Sequence, residues 1–139
     1  KYFYNNVDRL KMNSTAGKGK LFDLSVVYVP INVKNIHWII AEIHIELKVV
    51  SVYDSLGEQH DEHLGLIFKF LQDEYRMTYN SEMNLNEWSI VSYGMEHIPK
   101  QTNGYDCGVF ICMFLFLLAN RYATVLNQDD ADLFRMHIA

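Results

Sequence analysis

Eleven consecutive apolar residues, Val109 to Ala119, form the longest apolar run in the chain, and a polar, glycine-containing turn, Gln101-Thr-Asn-Gly-Tyr-Asp-Cys-Gly108, leads straight into it. A helix needs about 20 apolar residues to span a bilayer, so this run reads instead as a helix in the core of a globular domain. The rest of the chain must supply the layers that cover it. The turn puts Cys107 at the N-terminus of that helix, where unpaired N–H groups and the positive end of the helix dipole favour an anion. A thiolate is such an anion, and reactive cysteines occur at helix N-termini. Gly104 and Gly108 remove side chains close to the sulfur, so a substrate backbone has room to approach. The same cysteine also fits the plainer role of a small core residue, which free cysteines often fill.

A chain of 139 residues, half of them hydrophobic and 14% aromatic, is one domain's worth of globular sequence, and residues 1–139 read as a single domain. The net charge of −5 argues against a nucleic-acid binder, which normally carries a basic face. No apolar stretch is long enough for a transmembrane helix and no signal peptide opens the chain. It begins at Lys1 without an initiator methionine and is expected to be a piece of something longer. Cys107 and Cys112 on one helix stand about 140° apart around its axis, so they do not bridge each other. Unpaired thiols fit a reducing compartment, and an intracellular location, nucleus or cytoplasm, is expected. Cys112, in mid-run, reads as core.

Along the chain, Phe3, Val7 and Leu10 have helical spacing, and residues 13–20 read as a basic flexible loop. Leu24 to Val33 reads as a strand whose Pro30 marks an edge or bulge. A turn at Asn32 to Asn35 leads to a second strand, Trp38 to Ile45, and then a third, Lys48 to Tyr53. The short connection between these two predicts an antiparallel hairpin. Leu64, Ile67, Phe68, Leu71 and Tyr75 mark a helix, residues 78–87 a polar loop, and Trp88 to Tyr93 another strand. Asn127 to Asp132 is polar, and Leu133 to Ile138 belongs to a last helix. Adjacent strands in the middle with helices around them favour an α+β fold.

A cysteine nucleophile needs a base, and the base needs an orienting group. His37 opens the second strand and Asp54 closes the third. If the hairpin turn is centred between Ile45 and Glu46, the two stand opposite one another at its open end, and a turn shifted by one residue still leaves them neighbours. Asp54 would then hold one ring nitrogen of His37 and leave the other for the thiol. Gln101, in the cysteine turn, is placed to donate to a developing oxyanion together with the Cys107 N–H. Taken singly, each of these residues has a plainer role in a turn or polar loop. His60-Asp-Glu-His63 has the look of a metal cluster, but histidines three apart among acids are more often a solvated helix start, and no metal is expected. His44 lies well down its strand from the site, and His97 and His137 have no evident partners.

His37-Trp38, Asp54-Ser55 and Gln101 followed by Asn103-Gly104-Tyr105-Asp106-Cys107-Gly108 resemble the Ulp/SENP family of cysteine proteases, which remove SUMO and related ubiquitin-like modifiers. The resemblance runs from about Leu24 to the end of the chain, in the family's order His, Asp, Gln, Cys. It implies a papain-like α+β fold with a central mixed sheet. It implies Cys107 as nucleophile, His37 as general base, Asp54 as its orienting group and Gln101 in the oxyanion hole. Trp38 matches a family tryptophan that lies over the channel and holds the substrate's Gly-Gly tail, although a core aromatic beside the histidine is an equal reading. No cofactor is implied. The expected partner is SUMO or a related modifier and its conjugates, with no nucleic acid, no membrane and a monomeric protein.

The family's catalytic domains begin upstream of where this chain begins, with helices that carry part of the modifier-binding surface and a second tryptophan. Part of the recognition lobe is therefore expected to be absent here. Trp88 is no substitute for that tryptophan, because it falls where the family has an interior strand. No residue selects SUMO over NEDD8 or ubiquitin. Two other readings stand beside the protease: an acyltransferase of the same fold with a Cys-centred triad, and a non-catalytic module that binds the modifier.

Overall fold

The computed structural model describes residues 20–92 and 98–138. The helix expected over 1–11, almost all of the basic loop and His97 lie outside them. Four strands form one mixed sheet in the order β1-β2-β3-β4: β1 (Val26–Val33), β2 (His37–His44), β3 (Val49–Tyr53) and β4 (Ser89–Ser92). The first three run antiparallel, and β4 lies parallel to β3. A parallel pair requires a long crossover, which α1 (Asp61–Tyr79) provides, running further into the expected loop than its apolar spacing indicates. Two more helices follow, α2 (Cys107–Ala119) and α3 (Gln128–Ile138). The last begins within the polar stretch, because Asn127 caps it by accepting from the Asp129 and Asp130 N–H groups at 2.8 and 3.3 Å.

β1 is an edge strand of the described sheet and carries Pro30 opposite Ile40. Proline has no N–H to give, so an edge is where a sheet tolerates it. Lys34 and Asn35, both at positive φ (50° and 62°), turn the chain from β1 into β2 and set His37 as its first residue, paired with Val33.

The register of the β2–β3 hairpin differs from the expected one. Ile40 pairs with Tyr53 and His44 with Val49, so the turn is centred between Glu46 and Leu47, one residue later than expected. The cause is Lys48, which adopts a left-handed conformation (φ 55°) inside the turn instead of opening the strand. Moving the centre by one residue shifts cross-strand partners by two, and a shift of two keeps every side chain on its face. Asp54 therefore falls diagonal to His37 on the same face rather than opposite it.

The sheet is covered on both sides. Ile39, Ala41 and Ile43 of β2 and Val50 and Val52 of β3 pack with Leu64, Ile67, Phe70 and Leu71 of α1. Ile40 and Tyr53, pointing the other way, pack with Val109, Phe110, Met113 and Phe114 of α2 and Ala131 of α3. β2 is apolar on successive residues because both of its faces are buried. β4 lies at the edge of the described sheet, not in its interior, and Trp88, just before it, stacks edge-on against Phe68.

The apolar run forms the expected helix, but the chain does not bury all of it. One face of α2 enters the core, while Cys112, Leu115 and Phe116 are exposed. Cys112 is therefore not a core residue. It projects from the side of the helix turned away from the sheet. Among the described residues no helix is long and apolar enough to cross a membrane.

Candidate active site

The fold brings together the ends of β2 and β3, the start of α2 and the turn before it. His37 and Asp54 meet as the hairpin predicts: His37 Nε2 donates to Asp54 Oδ1 at 2.6 Å, with both residues buried. An ionised carboxylate only accepts, so the proton on this bond sits on Nε2. Nδ1 is left as the nitrogen able to take a further proton.

Asp54 is wrapped by the loop that follows it. The N–H of Leu56 donates to Oδ1 at 2.8 Å and the N–H of Glu58 to Oδ2 at 2.9 Å. An aspartate that bonds the backbone two residues on is a turn former, and Gly57, at φ 74°, supplies the left-handed residue this turn needs. Burial by itself pushes the Asp54 carboxyl up. The Leu56 N–H, His60, His37 and the Glu58 N–H together outweigh it and hold the group below the ordinary carboxylate value.

His60 is the residue the sequence reading missed. It is buried, not solvated, and its Nε2 donates to Asp54 Oδ2 at 2.8 Å. Nothing in the spacing of His60 and His63 points to this. The signal that does exist is the loop itself, since an Asp-Ser-Leu-Gly turn closes the chain back on Asp54 and brings the next few residues with it.

Gln101 is buried beside the same loop. Its backbone N–H bonds the Ser55 carbonyl at 3.1 Å, and its Oε1 accepts from Ser55 Oγ at 2.6 Å. Its Nε2 donates to the Asn103 carbonyl at 2.6 Å. A carbonyl can only accept, so this contact fixes which way the amide faces, and the second Nε2 hydrogen remains for another acceptor.

Cys107 is the first residue of α2 and is buried. The first N–H groups of a helix have no intrahelical carbonyl to bond, so this end offers donors to an anion. A Cβ at Gly108 would stand 3.9 Å from Trp38 Cδ1, which sets the indole against the start of the cysteine helix. Trp38 alternates with His37 along β2 and sits on the α2 side of the sheet, 38% exposed.

Asp106, just before the cysteine, is almost fully buried and serves as a fastener. It accepts from Asn103 Nδ2 at 2.5 Å, from Gln128 Nε2 at 2.6 Å and from the Arg135 guanidinium of α3. Arg135 is the main cause of its depressed carboxyl pKa, followed by Asn103. Gln128 also accepts from the Thr102 N–H at 2.7 Å, so α3 grips the cysteine turn at two points. No sequence signal links residues 128 and 135 to this turn.

The sequence profile described as the Ulp1 protease family, C-terminal catalytic domain, matches residues 1–139. The chain belongs to this family. Sentrin-specific protease 2 of Homo sapiens is 33% identical over 115 residues, covering 83% of this chain and 19% of that protein. A sentrin-specific protease of Caenorhabditis elegans is 32% identical over 137 residues, 96% of this chain and again 19% of the relative. Among solved structures, the C-terminal Ulp1 protease domain in complex with Smt3, the yeast ortholog of SUMO, superposes with a TM-score of 0.69 at 24% identity. That match covers 96% of this chain and 61% of that one. The Ulp1-like SUMO protease catalytic domain of Chaetomium thermophilum gives 0.71 at 24% identity, over 85% of this chain and 45% of that one. These two likenesses establish the fold: this chain has the α+β architecture of Ulp1 protease domains.

Proposed function

We propose that residues 1–139 form a single catalytic domain of a cysteine peptidase that cleaves after the Gly-Gly tail of a ubiquitin-like modifier, SUMO above the others. The observation that carries this reading is the buried 2.6 Å bond from His37 Nε2 to Asp54, which leaves Nδ1 for a thiol. Family membership and the names of the relatives, sentrin-specific proteases and a Ulp1 domain complexed with Smt3, support the choice of modifier.

In this mechanism His37 Nδ1 accepts the Cys107 proton, and the thiolate attacks the carbonyl carbon of the terminal glycine. The oxyanion that forms accepts from the Cys107 N–H and from the free hydrogen of Gln101 Nε2. The imidazolium, stabilised by Asp54, then protonates the leaving amine, a lysine ε-amine or the α-amine of a precursor's tail, as the C–N bond breaks. A water deprotonated by His37 attacks the remaining thioester and releases the modifier's carboxylate and the free thiol. Trp38 covers the channel, and a slot only as deep as a bare backbone admits Gly-Gly. The protein works as an intracellular monomer, in nucleus or cytoplasm, without nucleic acid, membrane or cofactor; two unpaired thiols agree with a reducing compartment.

The test is a modifier carrying a C-terminal vinyl electrophile. Because Cys112 is exposed, a small alkylating agent is expected to label both cysteines. The modifier probe is expected to label Cys107 alone, and Cys107→Ser to abolish both labelling and precursor cleavage while Cys112→Ser retains them. Labelling that survives Cys107→Ser would overturn the assignment. Parallel titrations with SUMO, NEDD8 and ubiquitin decide the modifier.

A further inference from the structure

Of the four donors around the Asp54 carboxylate, the peptidase reading uses His37 and the turn accounts for the Leu56 and Glu58 N–H groups, which leaves the fourth unexplained. Each Asp54 oxygen takes two donors: Leu56 N–H and His37 on Oδ1, Glu58 N–H and His60 on Oδ2. His60 stands at the N-cap of α1, a position that favours a short polar side chain bonded back to the helix. Its side chain makes no such cap bond and turns instead into the protein, where it is 7% exposed. Helix stability does not explain a buried histidine that forgoes the cap.

The two backbone donors belong to the same short loop as Asp54, so a movement of that loop carries donors and carboxylate together. His60 is different. Its carbonyl accepts the Leu64 N–H at 3.0 Å as the first bond of α1, its ring meets His63 edge-on at 5.7 Å, and Leu64 is rooted in the core. The Asp54 carboxylate is thereby tied to a rigid helix, the kind of support that holds a site within the tolerance catalysis needs.

We infer that His60 is a positioning residue: protonated at Nε2, it fixes the plane of the Asp54 carboxylate and, through it, the ring of His37. Its catalytic meaning rests on the proposed peptidase activity, but the coupling from His60 through Asp54 to His37 is a property of the folded chain alone.

The experiment is nitrogen-15 histidine NMR on the full chain, with cleavage assays beside it. In the wild type, His60 is expected to show a protonated Nε2, and the His37 Nε2 proton to show the low-field shift of a short bond to carboxylate. His60→Leu removes the donor and should weaken that His37 signature. His60→Gln sets an amide hydrogen close to where Nε2 stood and should restore it. In cleavage, His60→Leu should lower kcat roughly tenfold, the scale of one lost hydrogen bond to a charged group, with KM unmoved and recovery in His60→Gln. An unchanged His37 signature in His60→Leu, or a His60→Gln that behaves like His60→Leu, overturns the inference. If His60→Leu does not fold, the wild-type tautomer and His60→Gln decide: a bare Nε2 on His60 or a lost His37 signature in His60→Gln overturns it. A full NMR response in a protein that cleaves nothing supports the coupling and refutes the peptidase reading.

Discussion

Asp54 and Asp106 are two buried carboxylates on either side of the candidate site, and they are built in opposite ways. Asp54 is surrounded by its own loop and by two imidazoles, groups that can gain and lose protons. Asp106 takes Asn103 from its own turn but is held chiefly by side chains of α3, Gln128 and Arg135, with a permanently charged guanidinium as its main partner. A carboxylate paired with arginine has no proton to pass on and holds one element to another. A carboxylate paired with histidine stabilises charge that appears and disappears during a reaction. The difference in partners suits Asp54 to its proposed place behind His37 and Asp106 to fastening, though both groups are acidic, buried and depressed in pKa.

The comparison is broken most severely by Asp54→Asn. An amide at this position keeps the size of the group but turns N–H towards donors and withdraws the charge behind His37. Turnover is expected to fall by about 10⁴, as for the corresponding change in a Ser-His-Asp triad. Steady-state cleavage with thermal melts in parallel checks this, and near-native turnover would remove Asp54 from the mechanism.

The next effect lies on the other carboxylate. Arg135→Met is expected to lower the melting temperature by several degrees while turnover, measured well below the melt, changes far less than in Asp54→Asn. Arg135→Lys should recover only part of the stability, because an ammonium does not reproduce the guanidinium fork. A variant that melts like wild type but loses its turnover would place Asp106 among the working groups.

Acid separates the two further. Both carboxyls lie below the ordinary value of 3.8 in the folded chain. Their ionised forms therefore contribute stability that is complete above that value and is lost as pH falls through the lower folded values. The wild type should hold its fold through mildly acidic pH and unfold in acid below about pH 4. Arg135→Met weakens the depression of Asp106, so its acid unfolding should begin at higher pH. Circular dichroism across an acid titration of both proteins reads the difference, and coincident curves would contradict it.

The smallest expected effect belongs to Trp38, which is not among the hydrogen-bond donors to either carboxylate. Trp38→Ala should slow cleavage of Gly-Gly precursors through poorer positioning and relax the preference over Gly-Ala, with the bond from His37 to Asp54 intact. Paired precursor assays measure the ratio, and an unchanged rate and ratio would make Trp38 a packing residue only.

Much of this was legible in the order of residues. The α+β class, the hairpin, the helix from periodic apolar residues and the cysteine at a helix start depend on short-range rules of spacing and turn chemistry, and a chain of this length carries those rules locally. The pairing of His37 with Asp54 was legible for the same reason: face alternation survives a turn displaced by one residue, so the face was determined even though the register was not. Lys48 adopting the left-handed conformation, which set the actual register, depended on how the turn met the rest of the sheet. Tertiary packing also decided which side of α2 would be covered. The run from Val109 to Ala119 is apolar all round, so periodicity could not tell Phe110, inside, from Cys112, outside. His60 and Arg135 were hidden for a related reason. Each acts through a bond to a residue whose position is known only once the chain has folded, and a hydrogen bond across space leaves no spacing in the sequence to read.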